Sequence, residues 1–298
     1  MRLLSFSVNG AATYGVQAKG GVLDLRATDP SFPKTLRGFV ALGEPVMEHA
    51  RSLLAEAQPS DLLGLDAITH LPVLPDPSKF ICLGLNFTDH AAEGGFDIPS
   101  YPALFMRASS SLIADGAPLV RPRASNTFDY EAELGVVIGK KGRHISEADA
   151  LDHVFGYTVF NDGSVREYQR KTHQWTAGKN FDGTGALGPA IVTTDELPEG
   201  MAGMRIQSRL NGEVLQDSSL SDMIFSVART VSILSEIMTL EPGDVIAMGT
   251  PAGVGHARRP QLWMKPGDVC EIEIEGLGIL RNPVVDEPSA APITQAAE

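Results

Sequence analysis

Phe128-Asp129-Tyr130-Glu131-Ala132-Glu133-Leu134-Gly135-Val136-Val137-Ile138-Gly139 reads as a β-strand. It alternates in polarity, turns β-branched toward its end and stops at glycine. Successive side chains of a strand point to opposite faces. Glu131 and Glu133 therefore share one face, while Tyr130, Ala132, Leu134, Val136 and Ile138 share the other and suit a core. The two carboxylates then lie about 7 Å apart along the strand. Such a pair either faces solvent, as most acidic side chains do, or is held together by a hard cation that prefers oxygen ligands.

The surrounding chain narrows the choice. Its 298 residues carry a formal net charge of −13, with 43% hydrophobic and 20% charged residues. That length supports one large unit and one small one. The acidic balance argues against nucleic acid or an anionic membrane as partner, since both need clustered Lys and Arg. Cys82 and Cys270 are far apart and no Cys/His zinc spacing occurs, so neither a disulfide framework nor a structural zinc is indicated. No stretch resembles a signal peptide or a membrane span, which makes cytoplasmic the expected location.

Upstream, residues 1–72 read as a small α/β unit. Short strands over Leu3–Val8, Tyr14–Ala18 and Val22–Leu25 precede two helices broken at Gly43-Glu44-Pro45. Prolines 72, 75 and 77 mark a stiff connection to a larger unit over 73–287, and small polar residues suggest a flexible tail over 288–298. A short helix is expected at Thr88–Glu93, with His90 and Glu93 on one side at i and i+3, followed by a Gly94-Gly95 hinge. Such an element serves as a lid, or as an ordinary surface ion pair. Downstream, the aromatic strand Phe155–Phe160 runs into Asn161-Asp162-Gly163. Ser164–His173 reads as a helix bearing Arg166, Gln169 and Arg170, and a glycine-rich loop carries Lys179. Asn211-Gly212 marks a hairpin and Ser221–Met238 an amphipathic helix. Strands outnumber helices and arrive as neighbours, so an α+β, mostly β architecture fits better than a doubly wound parallel sheet.

The loop Gly249-Thr250-Pro251-Ala252-Gly253-Val254-Gly255 is neither a P-loop nor a dinucleotide fingerprint, and no serine-hydrolase or zinc-protease motif is present. Carboxylates without thiols favour Mg²⁺, Mn²⁺ or Ca²⁺.

Taken in order, five motifs resemble the fumarylacetoacetate hydrolase family. They are Gly84-Leu85-Asn86-Phe87 with His90 and Glu93, Asp129 through Leu134, Asn161-Asp162 with Arg166, Trp175 through Asp182 around Lys179, and the 249–255 loop. The resemblance covers about Lys79 to Val284 and implies a mixed β-roll, commonly a homodimer. It implies Glu131, Glu133 and Asp162 as ligands of a divalent ion, Mg²⁺ first, with Mn²⁺ or Ca²⁺ as alternatives. It implies His90, Glu93 and Lys179 as catalytic residues, and Arg107, Arg166, Gln169 and Thr250 as substrate contacts. Two departures bear on the substrate: Phe87 stands where the lid motif often has Tyr, and Arg107 where a lysine is usual. The expected activity is metal-dependent hydrolysis of a C–C bond in a 1,3-dicarbonyl acid of the acylpyruvate or fumarylpyruvate type. The alternatives are an isomerase, decarboxylase or dehydratase of a related oxo-diacid of the hydroxymuconate or oxaloacetate type, and outside enzymes a metal-binding scaffold.

Overall fold

The computed structural model describes residues 1–93 and 97–288. The hinge expected at Gly94-Gly95 and the tail beyond Pro288 lie outside the described residues. Among the described residues, no helix is long and apolar enough to cross a membrane.

The acidic stretch forms two strands rather than one. Phe128–Asp129 pairs with Ser164–Val165, and Ala132–Ile138 pairs on both sides within a large sheet. Tyr130 and Glu131 leave the ladder between them. Side-chain amides take over there: Glu131 N–H donates to Asn161 Oδ1 at 3.2 Å, and Ala132 N–H to Gln216 Oε1 at 3.0 Å. The backbone is thus satisfied without a ladder, and the glutamate sits at a strand end.

The large sheet contains β1 (Arg2–Val8), β2 (Ala11–Ala18), β3 (Gly21–Asp24), β4 (Phe80–Gly84), β5 (Ala103–Met106), β6 (Ala132–Ile138), β7 (Val154–Asn161), β8 (Gly185–Thr193) and β9 (Val245–Ala247). Their spatial order is β3-β2-β1-β8-β7-β6-β9-β4-β5, antiparallel except for the β9–β4 pair. A second sheet of five strands holds the Arg205–Leu210/Glu213–Ser219 hairpin, Val269–Ile274, Gly278–Asp286 and Leu119–Arg121. Asn211 and Gly212, at φ 55° and 84°, make the turn that the sequence predicts. The chain is α+β and mostly β.

Both faces of β6 are buried. Ala132, Leu134, Val136 and Ile138 join a cluster with Ile206, Ile272 and Leu280 of the second sheet. Val137 joins the opposite cluster, with Phe155, Phe160 and Leu187. Glu133 therefore shares a face with core residues, which removes the solvated-face alternative.

That opposite cluster is roofed by α1 (Leu36–Leu42) and α2 (Glu44–Glu56), which break where Gly43-Glu44-Pro45 predicts. The unit expected over 1–72 is joined to the rest in two ways. Strand β1 pairs with β8, Arg2 opposite Val192 and Leu3 opposite Ile191. Phe39 of α1 meets Phe155 edge-on, with ring centroids 6.5 Å apart. Further helices include the short Leu25–Thr28, and α3 (Thr88–Glu93), α4 (Arg166–Gln169), α5 (Thr176–Lys179) and α6 (Val227–Ile237). Helix α6 begins six residues later than the apolar spacing predicts. Ser219 and Asp222 close their own capping box, and Ser226 then caps α6 through the Arg229 N–H.

Because β1 and Phe39 tie the first 72 residues into the shared sheet and core, heat unfolding is expected as one transition. Phe39→Ala should lower that single transition by about 3–5 kcal/mol of stability, read by calorimetry. Two resolved transitions, with only the first moved, would contradict the shared core.

Candidate active site

Strand ends and short helices bring the acidic residues together. Glu131 precedes β6, Glu133 lies one turn of the pleat further on, and Asp162 follows directly after β7, which pairs with β6. Each offers a carboxylate oxygen, and the three oxygens lie within 4.8 Å of one another; all three residues are buried.

Lysine and arginine reach this cluster from α4 and α5. The two short helices approach closely because residue 178 is glycine: a Cβ there would lie 2.4 Å from Gln169 N. The glycine-rich loop expected around Lys179 is thus partly helical. Lys179 Nζ donates to Glu131 Oε2 at 2.6 Å and to Asp162 Oδ2 at 2.5 Å. Arg166 Nη1 lies 2.6 Å from Glu131 Oε1, and its Nε donates to Asp129 Oδ2 at 2.8 Å.

Four buried carboxylates, Asp129, Glu131, Glu133 and Asp162, thereby face three cations, Arg107, Arg166 and Lys179. Among the described residues Glu133 is the one left without a cation, and its Oε2 accepts the Gly249 N–H at 3.1 Å. Burial, and then the charges of Asp162 and Glu131, push the Glu133 carboxyl well above the usual carboxylate range. Glu131 goes the other way. Burial raises it, but Arg166 and Lys179 outweigh burial and hold it at about 2. For Lys179, burial disfavours the charge, yet Asp162 and Glu131 raise its pKa above the ordinary value. It is therefore a fixed cation and not a general base.

Three clustered oxygen donors with one negative charge uncompensated fit a hard divalent cation. Glu131, Glu133 and Asp162 would hold it. Nitrogen and sulfur ligands are absent from the cluster, which disfavours zinc.

The loop 249–255 supplies backbone amides to the protein's own carboxylates. Gly249, at φ +86°, presents its N–H to Glu133. Gly255 and His256 donate to Asp129 at 2.8 and 2.9 Å. Gly253 N–H lies 3.1 and 3.2 Å from the two Glu93 oxygens, which docks α3 on the loop. His90 Nδ1 is 3.5 Å from Glu93 Oε2. Burial would raise Glu93, but the bond with His90, the Gly253 N–H and the nearby charges of His90 and Arg258 lower it overall, so it stays an anion beside His90.

A cavity of about 770 Å³ opens over this floor, within the range of small-molecule sites. His90, Glu93, Glu131, Glu133, Lys179 and Thr250 line it, together with Arg166 and Gln169. Trp175 and Phe105 form an apolar wall, their rings edge-on at 5.8 Å.

One expectation fails. Arg107, read as a substrate contact, does not line the cavity. Its side chain is fully buried, paired with Asp162 Oδ1 and donating to Ser111 Oγ at 3.1 Å, Thr184 Oγ1 at 2.9 Å and Gly163 O at 3.2 Å. Its donors are taken up by Asp162, Ser111, Thr184 and Gly163, and Gly185 makes room for it. Residues that the sequence reading left without a role include Asp129, which anchors Arg166, and Asn86. The Asn86 side chain clasps Phe225 N and O and Met248 O at 2.7, 3.1 and 2.7 Å, fixing the turn before α3. His256 and Arg259 also line the cavity. The sequence signal for Asp129 was its place two residues before Glu131; nothing local marks the others.

In the metal-free protein the raised Glu133 carboxyl carries a signed consequence. Its unfolded counterpart ionises near 4.5, while the folded group keeps its proton above that. The unfolded state then binds fewer protons, so stability from this group is complete below pH 4.5 and falls as pH rises beyond it. Glu133→Gln should flatten the decline in metal-free melting temperature between pH 5 and 8. It should also abolish the melting shift produced by Mg²⁺ or Mn²⁺. An unaltered Mg²⁺ or Mn²⁺ shift in the variant would remove Glu133 from the cation site.

Comparison with known proteins places these residues in context. The family model described as fumarylacetoacetate (FAA) hydrolase C-terminal matches residues 79–285. The chain is 40% identical over 291 residues to the mitochondrial oxaloacetate tautomerase of Xenopus laevis, covering 96% of this chain and 90% of that one. Among solved structures it is similar to a fumarylacetoacetate hydrolase from Exiguobacterium antarcticum. That likeness has a TM-score of 0.82 and 34% identity, over 96% of this chain and 100% of the other. It is similar also to a maleylpyruvate hydrolase from Sphingobium sp. SYK-6 in complex with manganese(II) and pyruvate. There the TM-score is 0.80 at 25% identity, over 97% of this chain and 100% of the other.

Proposed function

The chain belongs to the fumarylacetoacetate (FAA) hydrolase family, and from that premise we propose that it is a divalent-cation-dependent tautomerase of a small 2-oxo acid of the oxaloacetate type. This puts the isomerase alternative ahead of C–C hydrolysis. Likeness over nearly the whole length to an oxaloacetate tautomerase supports the order, since the structure likened to a hydrolase is less similar in sequence.

The observation that carries the mechanism is the His90–Glu93 pair held by Gly253 at the cavity that contains the acidic floor. Keto–enol exchange needs one group to carry a proton between carbon and oxygen, and no positioned water. Histidine suits that task, and the Glu93 carboxylate lies 3.5 Å from its Nδ1. Lys179 and Arg166 keep fixed positive charge beside the position of a substrate oxygen, in a site buried from solvent. Trp175 and Phe105 shield one side from water. A cation held by Glu131, Glu133 and Asp162 supplies Lewis acidity that lowers the cost of negative charge on the oxo oxygen. The proposal includes Mg²⁺ as that ion, with Mn²⁺ or Ca²⁺ as alternatives; the manganese of the maleylpyruvate hydrolase complex supports a divalent metal in this fold. It includes a homodimer too, which light scattering would refute by finding a monomer mass.

The test follows oxaloacetate enol and keto forms by NMR with Mg²⁺ present, beside a panel of acylpyruvates. His90→Ala should lower turnover by about 10²- to 10⁴-fold while keeping the melting shift caused by the ion. Near-native turnover in the variant would remove His90 as proton carrier. Pyruvate release from an acylpyruvate, with no acceleration of tautomerisation, would restore the hydrolase reading.

A further inference from the structure

The cavity has a second kind of lining besides its acidic floor. Arg166 and Arg170 come from the α4 segment, and His256 and Arg259 from the turn after the glycine loop. Two of the four, Arg166 and His256, are fastened to one another through Asp129. Arg166 Nε and the His256 backbone N–H both donate to the same Asp129 oxygen, at 2.8 and 2.9 Å. Arg170 follows Arg166 by one helical turn, its N–H bonded to Arg166 O at 3.2 Å, so the two side chains emerge on one side. Arg259 Nη1 folds back on the same turn, donating to the carbonyl oxygens of Arg258 and Ala257 at 2.9 and 3.3 Å.

Positive charge in this group is left uncompensated. Arg166 Nε and Nη1 are held by Asp129, Gln169 and Glu131, but its Nη2 is buried with no partner among the described residues. A buried donor left unmade is costly, and an incoming acceptor recovers that cost. Among the described residues Arg170 and Arg259 have no acidic partner. Burial, and then the charges of Arg170, Arg166 and Arg259 over the opposing Asp129, depress the His256 imidazole. In a chain of net charge −13, an unneutralised group of arginines at one cavity is a local feature and not the molecule's general field.

We propose that Arg170, His256 and Arg259, together with the free Nη2 of Arg166, form a carboxylate subsite apart from the acidic floor. A 2-oxo diacid of the type proposed above then places its oxo-acid end on the floor and its remote carboxylate in the subsite. The subsite deepens the tautomerase reading and rests on it for the reaction, though not for binding. Arginine is suited to the role because its planar fork takes a carboxylate by two parallel bonds.

The experiment compares oxaloacetate with its 4-methyl ester, which lacks the remote charge, in wild type and in the Arg170→Ala/Arg259→Ala double variant. Wild type should prefer the diacid by about tenfold in kcat/KM, the size of two partly exposed charge contacts. The double variant should lose that preference through KM, and the Arg170→Lys/Arg259→Lys pair should regain part of it. A wild type indifferent to esterification, or a double variant that keeps the preference, overturns the subsite. Calorimetry of the Mn²⁺-loaded protein with malate and lactate, neither of which tautomerises, separates the two proposals. Should wild type turn over neither oxaloacetate nor its ester, the tautomerase reading falls. The subsite still stands if malate binds more tightly than lactate in wild type alone, and falls with it if the two bind alike.

Discussion

Four carboxylates buried against three cations is the constraint around which the rest of this protein is built. Charges removed from water are costly unless paired and hydrogen-bonded. Asp129, Glu131 and Asp162 meet that condition with Arg166, Lys179 and Arg107. Glu133 does not, and its pKa moves up as the physical response. The imbalance cannot be a folding device, because a neutral side chain at 133 would pack on this face of β6 at lower cost. A site that tolerates it is one that gains from a bound cation. The long reach of Lys179 into the cluster then reads as partial compensation that leaves room for the ion's charge.

Backbone amides from a single loop complete the arrangement. Gly249 serves Glu133, Gly253 serves Glu93, and Gly255 with His256 serves Asp129. In a P-loop such amides cradle a ligand's phosphate. Here the same chemistry is turned on the protein's own anions, which fixes the floor, helix α3 and the Arg166 anchor relative to one another. The absence of a G-K-[ST] ending is consistent with this inward use. Rigid placement matters because a proton carrier must meet its substrate within hydrogen-bond reach.

Much of this was legible in the sequence wherever the signal was local. The E-x-E spacing, the aspartate after an aromatic strand, the His90–Glu93 spacing and the Asn211-Gly212 turn each depend on residues within one element. What was not legible depends on distant residues meeting. Arg107 was expected as a substrate cation because the family resemblance puts it where a lysine is usual. Its burial is set by Phe160, Gly163, Thr184 and Gly185, all more than fifty positions away. The break at Tyr130–Glu131 comes from Asn161 and Gln216 substituting for ladder partners, which alternation alone does not reveal. The first strand looked separate because the β1–β8 pairing spans most of the chain.

The same distant meetings decide which reaction the floor performs. A hydrolase, a decarboxylase and a tautomerase of oxo-acids each need negative charge stabilised on an oxo oxygen, so Glu131, Glu133, Asp162 and Lys179 do not discriminate among them. Discrimination lies in what else enters the cavity. Hydrolysis requires a water aligned on a second carbonyl, whereas proton exchange requires only that the substrate be held still beside His90. In the proposed subsite, a remote carboxylate held by arginines would achieve that holding without touching the reacting atoms, spending binding energy on orientation. On the proposed reading, the choice of reaction would depend less on the conspicuous acidic cluster than on the arginines beside it, of which Arg166 is anchored by Asp129, a residue that looked like a mere neighbour of the first glutamate.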